Sequence, residues 1–441
     1  MRRRNKSITA GSISSLPLPL QRRAPLAMLF LLALHLRNTS IVLHTAEAFA
    51  IALPGIDTIH TILPNSITYP ATFLAAFRTG AAISVINQPR MPSIDSSPYS
   101  NVGSTVLRLP ERGTRVRLFY PTTINSIDNP TNGGERRRRM APYCTDGRQT
   151  SDAMAARVGF EQMGASFLLG HLADASSGCM EDVPMMIDRT AAAAGNSNNN
   201  ELPLLIYSHG YGGNMDMATY LFRTMASKGM IVAAIEHTDG TASSTILEDG
   251  SERRFNEYLL TGRQQLTRRA SELLEASEVL PEVIQTRYNT TVGNIVVGGH
   301  SYGAPSAVMA ANGASEHSNL SGLILHDPAL GMGYGMLPPN GAKSRIPCVS
   351  YVSDEYHKAG VRYGDVTVHV RGARHGNFVD APLWAPSWIM RPLSVVAIPA
   401  AGPADPWEVH EQLAESAVAF LESGGDAALE EVTKGNLLER V

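Results

Sequence analysis

The chain has few cysteines, few aromatic residues and no strong excess of either charge. Its 441 residues include only 3 cysteines, an odd number that cannot define the disulfide framework of a small secreted module. Aromatic residues make up 6%, and the net charge of −3 gives no indication of nucleic-acid binding. Hydrophobic residues nevertheless reach 44%, enough for a sizeable core. We therefore expect a globular protein that does not bind nucleic acid.

Metal-binding patterns are also missing. The sequence contains no H-E-x-x-H motif, and its 13 histidines and 3 cysteines are not clustered at the spacing of metal ligands. We therefore expect neither a metal nor a cofactor. Cys348 lies in a strand-like run and is interpreted as a buried hydrophobic residue. Cys144 and Cys179 could pair with each other in an oxidising compartment.

The N-terminus lacks acidic residues. Residues 1–46 hold 7 Lys and Arg and no acid, whereas residues 47–441 hold 30 basic and 40 acidic residues. The apolar core Leu26–Leu34 has nine residues, the length of a signal peptide (about 7–15) rather than of a membrane span (about 20). We predict a targeting segment over residues 1–48 for the secretory pathway or secretion. The alternatives are a plastid or mitochondrial transit peptide, or a membrane anchor formed by residues 26–34.

Beyond this leader, composition and pattern divide the chain further. Residues 49–94 are interpreted as a leader or linker, residues 95–430 as a catalytic domain and residues 431–441 as a tail. The domain opens with two strand-like runs in a hairpin, Ser104–Leu109 and Thr114–Tyr120. From about residue 122 to residue 200 we expect an irregular insertion with one helical piece, Ser151–Leu172.

From residue 202 onward, strand-like and helix-like segments alternate. The predicted strands are Leu202–Ser208, Met230–Glu236, Asn294–Gly298, Gly322–His326, Pro347–Val352 and Val366–Val370. The predicted helices are Asp216–Ser227, Gly262–Leu280, Ala304–Ala311 and Pro406–Glu422. Such alternation indicates a mostly parallel sheet with helices on both faces, as in the α/β-hydrolase fold.

One sequence motif indicates which residue would act as a nucleophile in this fold. Gly299-His-Ser-Tyr-Gly303 is a G-x-S-x-G pattern between a predicted strand and a predicted helix, which is the setting of a nucleophile elbow. Small residues two before and two after the serine are needed because the turn brings backbones together. We therefore predict Ser301 as the nucleophile.

A nucleophilic serine needs a base, and the base needs an acid that follows the serine in the chain. His375 follows the last predicted strand in a loop and is the favoured base, with His357 and His410 as weaker rivals. The residues leave the acid open between Asp327 and Asp354, because each follows a strand at its carboxyl end.

The oxyanion of an acyl transfer reaction needs two amide donors. One is predicted to be the backbone amide of Tyr302, directly after the nucleophile. The other is predicted in Ser208-His-Gly-Tyr-Gly-Gly213, a glycine-rich run after the first predicted parallel strand, where Tyr211 would supply the amide.

Several blocks of the sequence resemble the platelet-activating-factor acetylhydrolases, also called lipoprotein-associated phospholipases. They are Pro98–Ser100, Val116–Pro121, Pro203–Gly210, Gly229–His237 with Asp239, Gly299–Gly303, Ile324–Asp327 and Arg371–Phe378. The resemblance implies Ser301, His375, Tyr211 and Tyr302 in the roles given above, and it implies Asp327 as the acid. A clean apolar strand ending at Asp327, followed by Pro328, favours the same choice.

The function implied by the resemblance is hydrolysis of a short or oxidised sn-2 acyl ester of a phospholipid, as in a 1-alkyl-2-acetylglycerophosphocholine esterase. The expected partners are lipid esters, with possible peripheral contact to lipid surfaces. The first alternative is a related carboxylesterase or polyester hydrolase, which would be expected to use Asp354 as its acid. The second is a non-catalytic binding protein of the same fold.

Overall fold

The computed structural model describes residue 99 and residues 101–124, 139–162, 166–185, 201–314, 319–384, 401–422 and 436–441. All of them belong to one compact unit, residues 82–441. The predicted targeting segment and the linker lie outside the described residues. Within the described part of the chain, no helix is both long enough and apolar enough to cross a membrane.

The centre of this unit is a large β-sheet. Its strands are β1 (Asn101–Arg108), β2 (Arg115–Thr122), β3 (Met140–Pro142), β4 (Ser176–Glu181), β5 (Glu201–Ser208), β6 (Ile231–Glu236), β9 (Thr291–His300), β10 (Leu320–His326), β11 (Cys348–Val352), β12 (Val366–Val370) and β13 (Leu438–Arg440). A separate ribbon pairs β7 (Ser244–Ile246) with β8 (Glu252–Arg254).

The strand order of the sheet is β13-β12-β11-β10-β9-β5-β6-β2-β1-β4-β3. The six strands from β12 to β6 in that order are parallel, and the antiparallel pairs lie towards the two edges. Because parallel strands end at the same edge, the loops after β5, β9, β10 and β12 come together. The registers Ser208↔Gly299 and His326↔His300 bring the ends of β5, β9 and β10 level with one another.

Helices cover both faces of the sheet. They are α1 (Arg148–Arg157), α2 (Thr219–Ser227), α3 (Gly262–Tyr288), α4 (Gly303–Gly313), α5 (Asp354–Lys358) and α6 (Pro406–Glu422). Helices α2 and α6 pack in one hydrophobic cluster with side chains such as Leu205. Helices α3 and α4 pack in a second cluster with Leu204 and Ile206. Neighbouring residues of β5 thus point to opposite faces, which explains its continuous apolar run.

The predicted fold class is confirmed. All six predicted parallel strands and all four predicted helices are present, with ends shifted by up to eight residues, the largest shift being at the end of α3. The predicted hairpin is β1 paired antiparallel with β2. Helix α3 is longer than predicted because it continues past Pro281 to a left-handed C-cap at Asn289.

Three sequence predictions need correction. The region predicted as an irregular insertion contributes β3, α1 and β4, and β4 adds to the sheet beside β1. The helical piece predicted over Ser151–Leu172 ends at Arg157 and is followed by short 3-10 turns. The residues assigned to a tail include β13, which pairs with β12 and extends the sheet. The sequence pattern missed these strands because their pairing is decided by distant segments.

All three cysteines are buried free thiols. Cys348 lies in β11, as expected of a small hydrophobic residue. Cys144 and Cys179 do not pair with each other, and both pack in the hydrophobic cluster beside α2.

Candidate active site

Ser301 lies in the sharp turn between β9 and α4. Its φ of 55° is a left-handed value that is uncommon for a residue other than glycine. Three backbone hydrogen bonds hold this turn. Ser301 N–H donates to His326 O at 3.0 Å, and Ser301 O accepts from Ala329 N–H at 3.1 Å and from Ala304 N–H at 3.2 Å. The turn therefore projects a partly exposed serine at the carboxyl edge of the sheet.

The two glycines that flank Ser301 are required by close backbone contacts. A Cβ on Gly299 would come within 2.4 Å of the carbonyl carbon of Gly303. A Cβ on Gly303 would come within 2.0 Å of Ser208 O. This confirms the prediction that small residues are needed two before and two after the serine.

His375 and Asp327 form a close pair beside this turn. His375 Nδ1 lies 2.6 Å from Asp327 Oδ2. The Asp327 side chain is fully buried, while that of His375 is 27% exposed. Asp327 Oδ1 also accepts a hydrogen bond of 2.8 Å from Ser353 N–H. The carboxylate is therefore held on both oxygens, and the imidazole keeps one edge open to solvent.

Aromatic contacts hold the imidazole of His375 in place. The ring of Tyr356 stacks on it, with centroids 5.4 Å apart and an interplanar angle of 16°. The ring of His300 also contacts it, with centroids 4.5 Å apart and the planes tilted by 38°. His300 Nε2 donates to His375 O at 3.0 Å, which ties the residue before the serine to the loop that carries the base. Burial and the neighbouring His375 lower the pKa of His300 well below its usual value, so His300 stays neutral.

The other candidate acid, Asp354, has a different partner. Its Oδ1 lies 2.8 Å from His369 Nε2 and accepts a hydrogen bond of 3.1 Å from Gly372 N–H. The rival histidine His357 stacks on His369 at 4.1 Å. The other rival, His410, is buried and contacts Asn377 O through Nε2 at 3.0 Å. The structure thus brings His375 to Asp327 and leaves Asp354 and both rival histidines with other partners.

The two predicted oxyanion donors lie beside Ser301. Tyr302 precedes the first turn of α4, and Tyr211 lies in the loop after β5. Among the described residues, neither backbone amide has a hydrogen-bond acceptor. A Cβ on Gly210 would lie 3.2 Å from Ser301 Cβ, so the loop passes directly over the serine.

Sequence reasoning missed a buried ionic cluster behind this loop. Arg269 in α3 is fully buried and pairs with Asp239, with Nε 2.9 Å from Oδ2. Arg269 Nη1 donates to His209 O at 2.6 Å, and its guanidinium lies 5.0 Å from the ring centre of Tyr302. Thr241 O accepts a hydrogen bond of 2.8 Å from Gly212 N–H. The sequence contained one indication of this cluster, because Asp239 belongs to one of the blocks that resemble the acetylhydrolases. The sequence alone assigned no role to it.

A second buried cluster has the geometry of a Ser-His-Glu triad. Ser208 Oγ lies 2.7 Å from His237 Nε2, and His237 Nδ1 lies 2.6 Å from Glu272 Oε2. The side chains of His237 and Glu272 are both 0% exposed, and Ser208 is also fully buried. Burial lowers the pKa of His237 and raises that of Glu272. No substrate can reach these groups, so we interpret the cluster as structural.

No group of three or more His, Cys, Asp or Glu side chains that could hold a metal ion occurs in the part of the chain that the structure describes.

A comparison with protein-family models matches the part of the chain that precedes Ser301. Residues 185–287 match the family model described as platelet-activating factor acetylhydrolase, isoform II. The chain resembles this family, as its sequence blocks predicted. The match contains the loop of Tyr211 and the buried pair Arg269–Asp239, and it ends before Ser301.

Two curated relatives agree with this match. A Bos taurus platelet-activating factor acetylhydrolase is 29% identical over a segment that covers 27% of this chain and 34% of that protein. A Schizosaccharomyces pombe protein, provisionally named phospholipase A2, is 28% identical over 29% of this chain and 39% of that protein. The matched segments therefore span well under half of each relative.

A solved structure supports the fold over a longer range. The ferulic acid esterase of Streptomyces cinnamoneus superposes with a TM-score of 0.52, covering 77% of this chain and 96% of that one. At 17% identity this likeness concerns the fold alone.

Proposed function

We propose that this protein is a serine esterase that hydrolyses the short or oxidised sn-2 acyl ester of phospholipids such as platelet-activating factor. One observation carries the proposal: the His375–Asp327 pair, with 2.6 Å between Nδ1 and Oδ2, lies beside the strained Ser301 turn. A nucleophile, a base and an acid in this chain order are the parts that acyl transfer through a serine requires.

In this mechanism His375 Nε2 takes the proton of Ser301 Oγ while Oγ attacks the ester carbonyl carbon. The Asp327 carboxylate holds the imidazole in the required tautomer and stabilises its positive charge. The amides of Tyr211 and Tyr302 donate hydrogen bonds to the oxyanion.

Collapse of the tetrahedral intermediate breaks the bond to the lysolipid oxygen, which receives the proton from His375. Water then attacks the acyl-enzyme with His375 again as the base, and the free acid and Ser301 are released.

Exposed apolar side chains near the loop that carries Tyr211 support a lipid ester as the substrate. Tyr258, Leu259 and Tyr334 are 87%, 39% and 41% exposed. Tyr334 contacts Tyr302 with ring centroids 6.4 Å apart. The residue before Tyr258 accepts a hydrogen bond of 2.8 Å from the Tyr211 hydroxyl. Apolar groups at the rim would allow peripheral contact with a lipid surface, where such substrates reside.

The experiment compares turnover of an acetyl phospholipid with turnover of a soluble nitrophenyl ester. We expect both to be hydrolysed, with kcat/KM higher for the phospholipid, and Ser301→Ala to abolish both activities without loss of fold. An organophosphonate probe should label the wild type and not Ser301→Ala. Hydrolysis of the nitrophenyl ester alone would favour a general carboxylesterase. Folded wild-type protein that hydrolyses neither ester would favour a binding protein.

A further inference from the structure

The orientation of one peptide group decides whether the Tyr211 amide can serve as an oxyanion donor. The carbonyl oxygen of Gly210 accepts a hydrogen bond of 3.0 Å from Gly213 N–H, and His209 Nδ1 lies 2.8 Å from the same oxygen. A trans peptide directs its carbonyl and its N–H in opposite directions. Two donors on the Gly210 carbonyl therefore hold the Tyr211 N–H pointing away from them, and it has no acceptor among the described residues.

The partners of His209 determine its tautomer. A carbonyl oxygen only accepts hydrogen bonds, so the Nδ1 that faces Gly210 O carries the proton. The Nε2 atom receives the backbone N–H of His237 at 3.4 Å, and an N–H only donates, so Nε2 carries none. The imidazole of His209 is therefore neutral and protonated on Nδ1.

The charge of Arg269 favours this neutral form. Arg269 Nη2 lies 3.4 Å from His209 Nδ1. A guanidinium charge this close disfavours a second positive charge on the imidazole. Burial together with Arg269 holds the pKa of His209 well below its usual value. Burial opposes ionisation of Asp239, but the pairing with Arg269 lowers its pKa to about 2. The guanidinium is thus balanced by a carboxylate and remains in place as a fixed charge.

We propose that His209, neutral and protonated on Nδ1, is a positioning residue that directs the Tyr211 amide toward the oxyanion. The inference rests on the proposed esterase function, because it assigns this loop a part in that reaction. His209 does not touch the substrate. It acts through the Gly210–Tyr211 peptide, which lies over Ser301 with 3.2 Å between Ser301 Cβ and the position of a Cβ on Gly210.

Three substitutions at one position test the role. In His209→Asn the side-chain amide nitrogen lies where Nδ1 lies now, so the donor to Gly210 O is kept. In His209→Gln the amide reaches toward the Nε2 position, and in His209→Leu no donor remains. Loss of one oxyanion donor lowers kcat by about 10²–10³-fold. We expect a kcat loss of that order for Leu and Gln with KM within about threefold, and a loss below about tenfold for Asn.

Equal kcat values for the Asn, Gln and Leu variants would overturn the proposal, as would a loss confined to KM. A merely structural role predicts lower melting temperatures with kcat per folded molecule unchanged. If His209→Leu fails to fold, the comparison of Asn with Gln still decides the question.

A measurement on the unmodified protein separates this proposal from the proposed function. Nitrogen-15 NMR of the histidines should show His209 neutral and protonated on Nδ1 at pH 7. An Nε2-protonated or charged ring would overturn the positioning role whether or not the protein hydrolyses esters. If the wild type hydrolyses no ester, the proposed function fails. Amide hydrogen exchange then tests the positioning: residues 209–213 should exchange faster in the Leu variant than in the Asn variant, and equal rates would refute it.

Discussion

Replacement of Asp327 by asparagine is the sharpest test of the site. Asp327 Oδ1 accepts the Ser353 N–H at 2.8 Å, and Oδ2 faces His375 Nδ1 at 2.6 Å. In Asp327→Asn the amide oxygen must keep the Ser353 contact, because the amide NH₂ would oppose another donor there. The NH₂ then faces His375 Nδ1 and forces the imidazole into the Nε2-protonated tautomer, which cannot accept the proton of Ser301.

The expected loss follows from this tautomer change. The equivalent replacement in a serine protease lowers kcat by about 10⁴, or ~5 kcal/mol of transition-state stabilisation. Because Asp327 is fully buried, water cannot replace the lost interaction. We therefore expect a loss of the same order on a soluble nitrophenyl ester, with KM nearly unchanged and the fold retained.

Asp354→Asn is the matched control. Its Oδ1 contacts His369 Nε2 and Gly372 N–H, and the side chain is 33% exposed. An asparagine oxygen can keep the Gly372 contact, so we expect less than about a tenfold loss. The opposite ranking of the two variants would refute the assignment of Asp327 and would favour the polyester-type hydrolases.

Three further predictions concern stability. Gly303→Ala should lower the free energy of unfolding by ~1–3 kcal/mol, because its Cβ would meet a carbonyl oxygen of β5 at 2.0 Å. Gly313→Ala, where the nearest atom is at 3.9 Å, is the control, and equal melting temperatures of the two variants would contradict the prediction. Arg117→Met should lower the free energy of unfolding, measured in urea, by ~3–5 kcal/mol, because it leaves the buried Asp216 carboxylate without the guanidinium now at 2.6 Å. A decrease below ~1 kcal/mol would show that this ion pair does not stabilise the fold. Burial raises the pKa of Asp380 to about 7, so the folded chain holds a proton that the unfolded chain has released, and the free energy of unfolding falls as the pH rises toward 7. Asp380→Asn should flatten that decline, and an unchanged pH profile would show that Asp380 is not its source.

Local pattern was sufficient for the parts of the fold that depend on neighbours in sequence. Apolar runs such as Leu323–Leu325 predicted the parallel strands, and the small residues around Ser301 predicted the turn. These signals are strong because a strand buried on both faces needs a continuous apolar run, and because a left-handed serine tolerates few neighbours. The nucleophile and both oxyanion amides could thus be proposed from sequence, since each belongs to one short segment.

The partner of His375 could not be chosen from the residues alone. Asp327 and Asp354 both follow parallel strands, β10 and β11, and their local sequences left both open. The structure separates them because β12 pairs with β11 and brings His369 beside Asp354. The loop after β12 then carries His375 to the end of β10. Sheet order and loop path decide that distance, and neither is encoded in a local pattern.

The sequence by itself determined the fold class, the strained serine turn and the glycine-rich loop, because short segments specify these through sterics and burial. Only the tertiary structure decided which groups surround them. The region between β2 and β5 had a loop-like composition, yet β4 joins the sheet beside β1. Arg269 in α3 reaches His209 after β5, 60 residues earlier in the chain. Contacts between distant segments depend on the free energy of the whole core, so the chain must be folded before they can be identified.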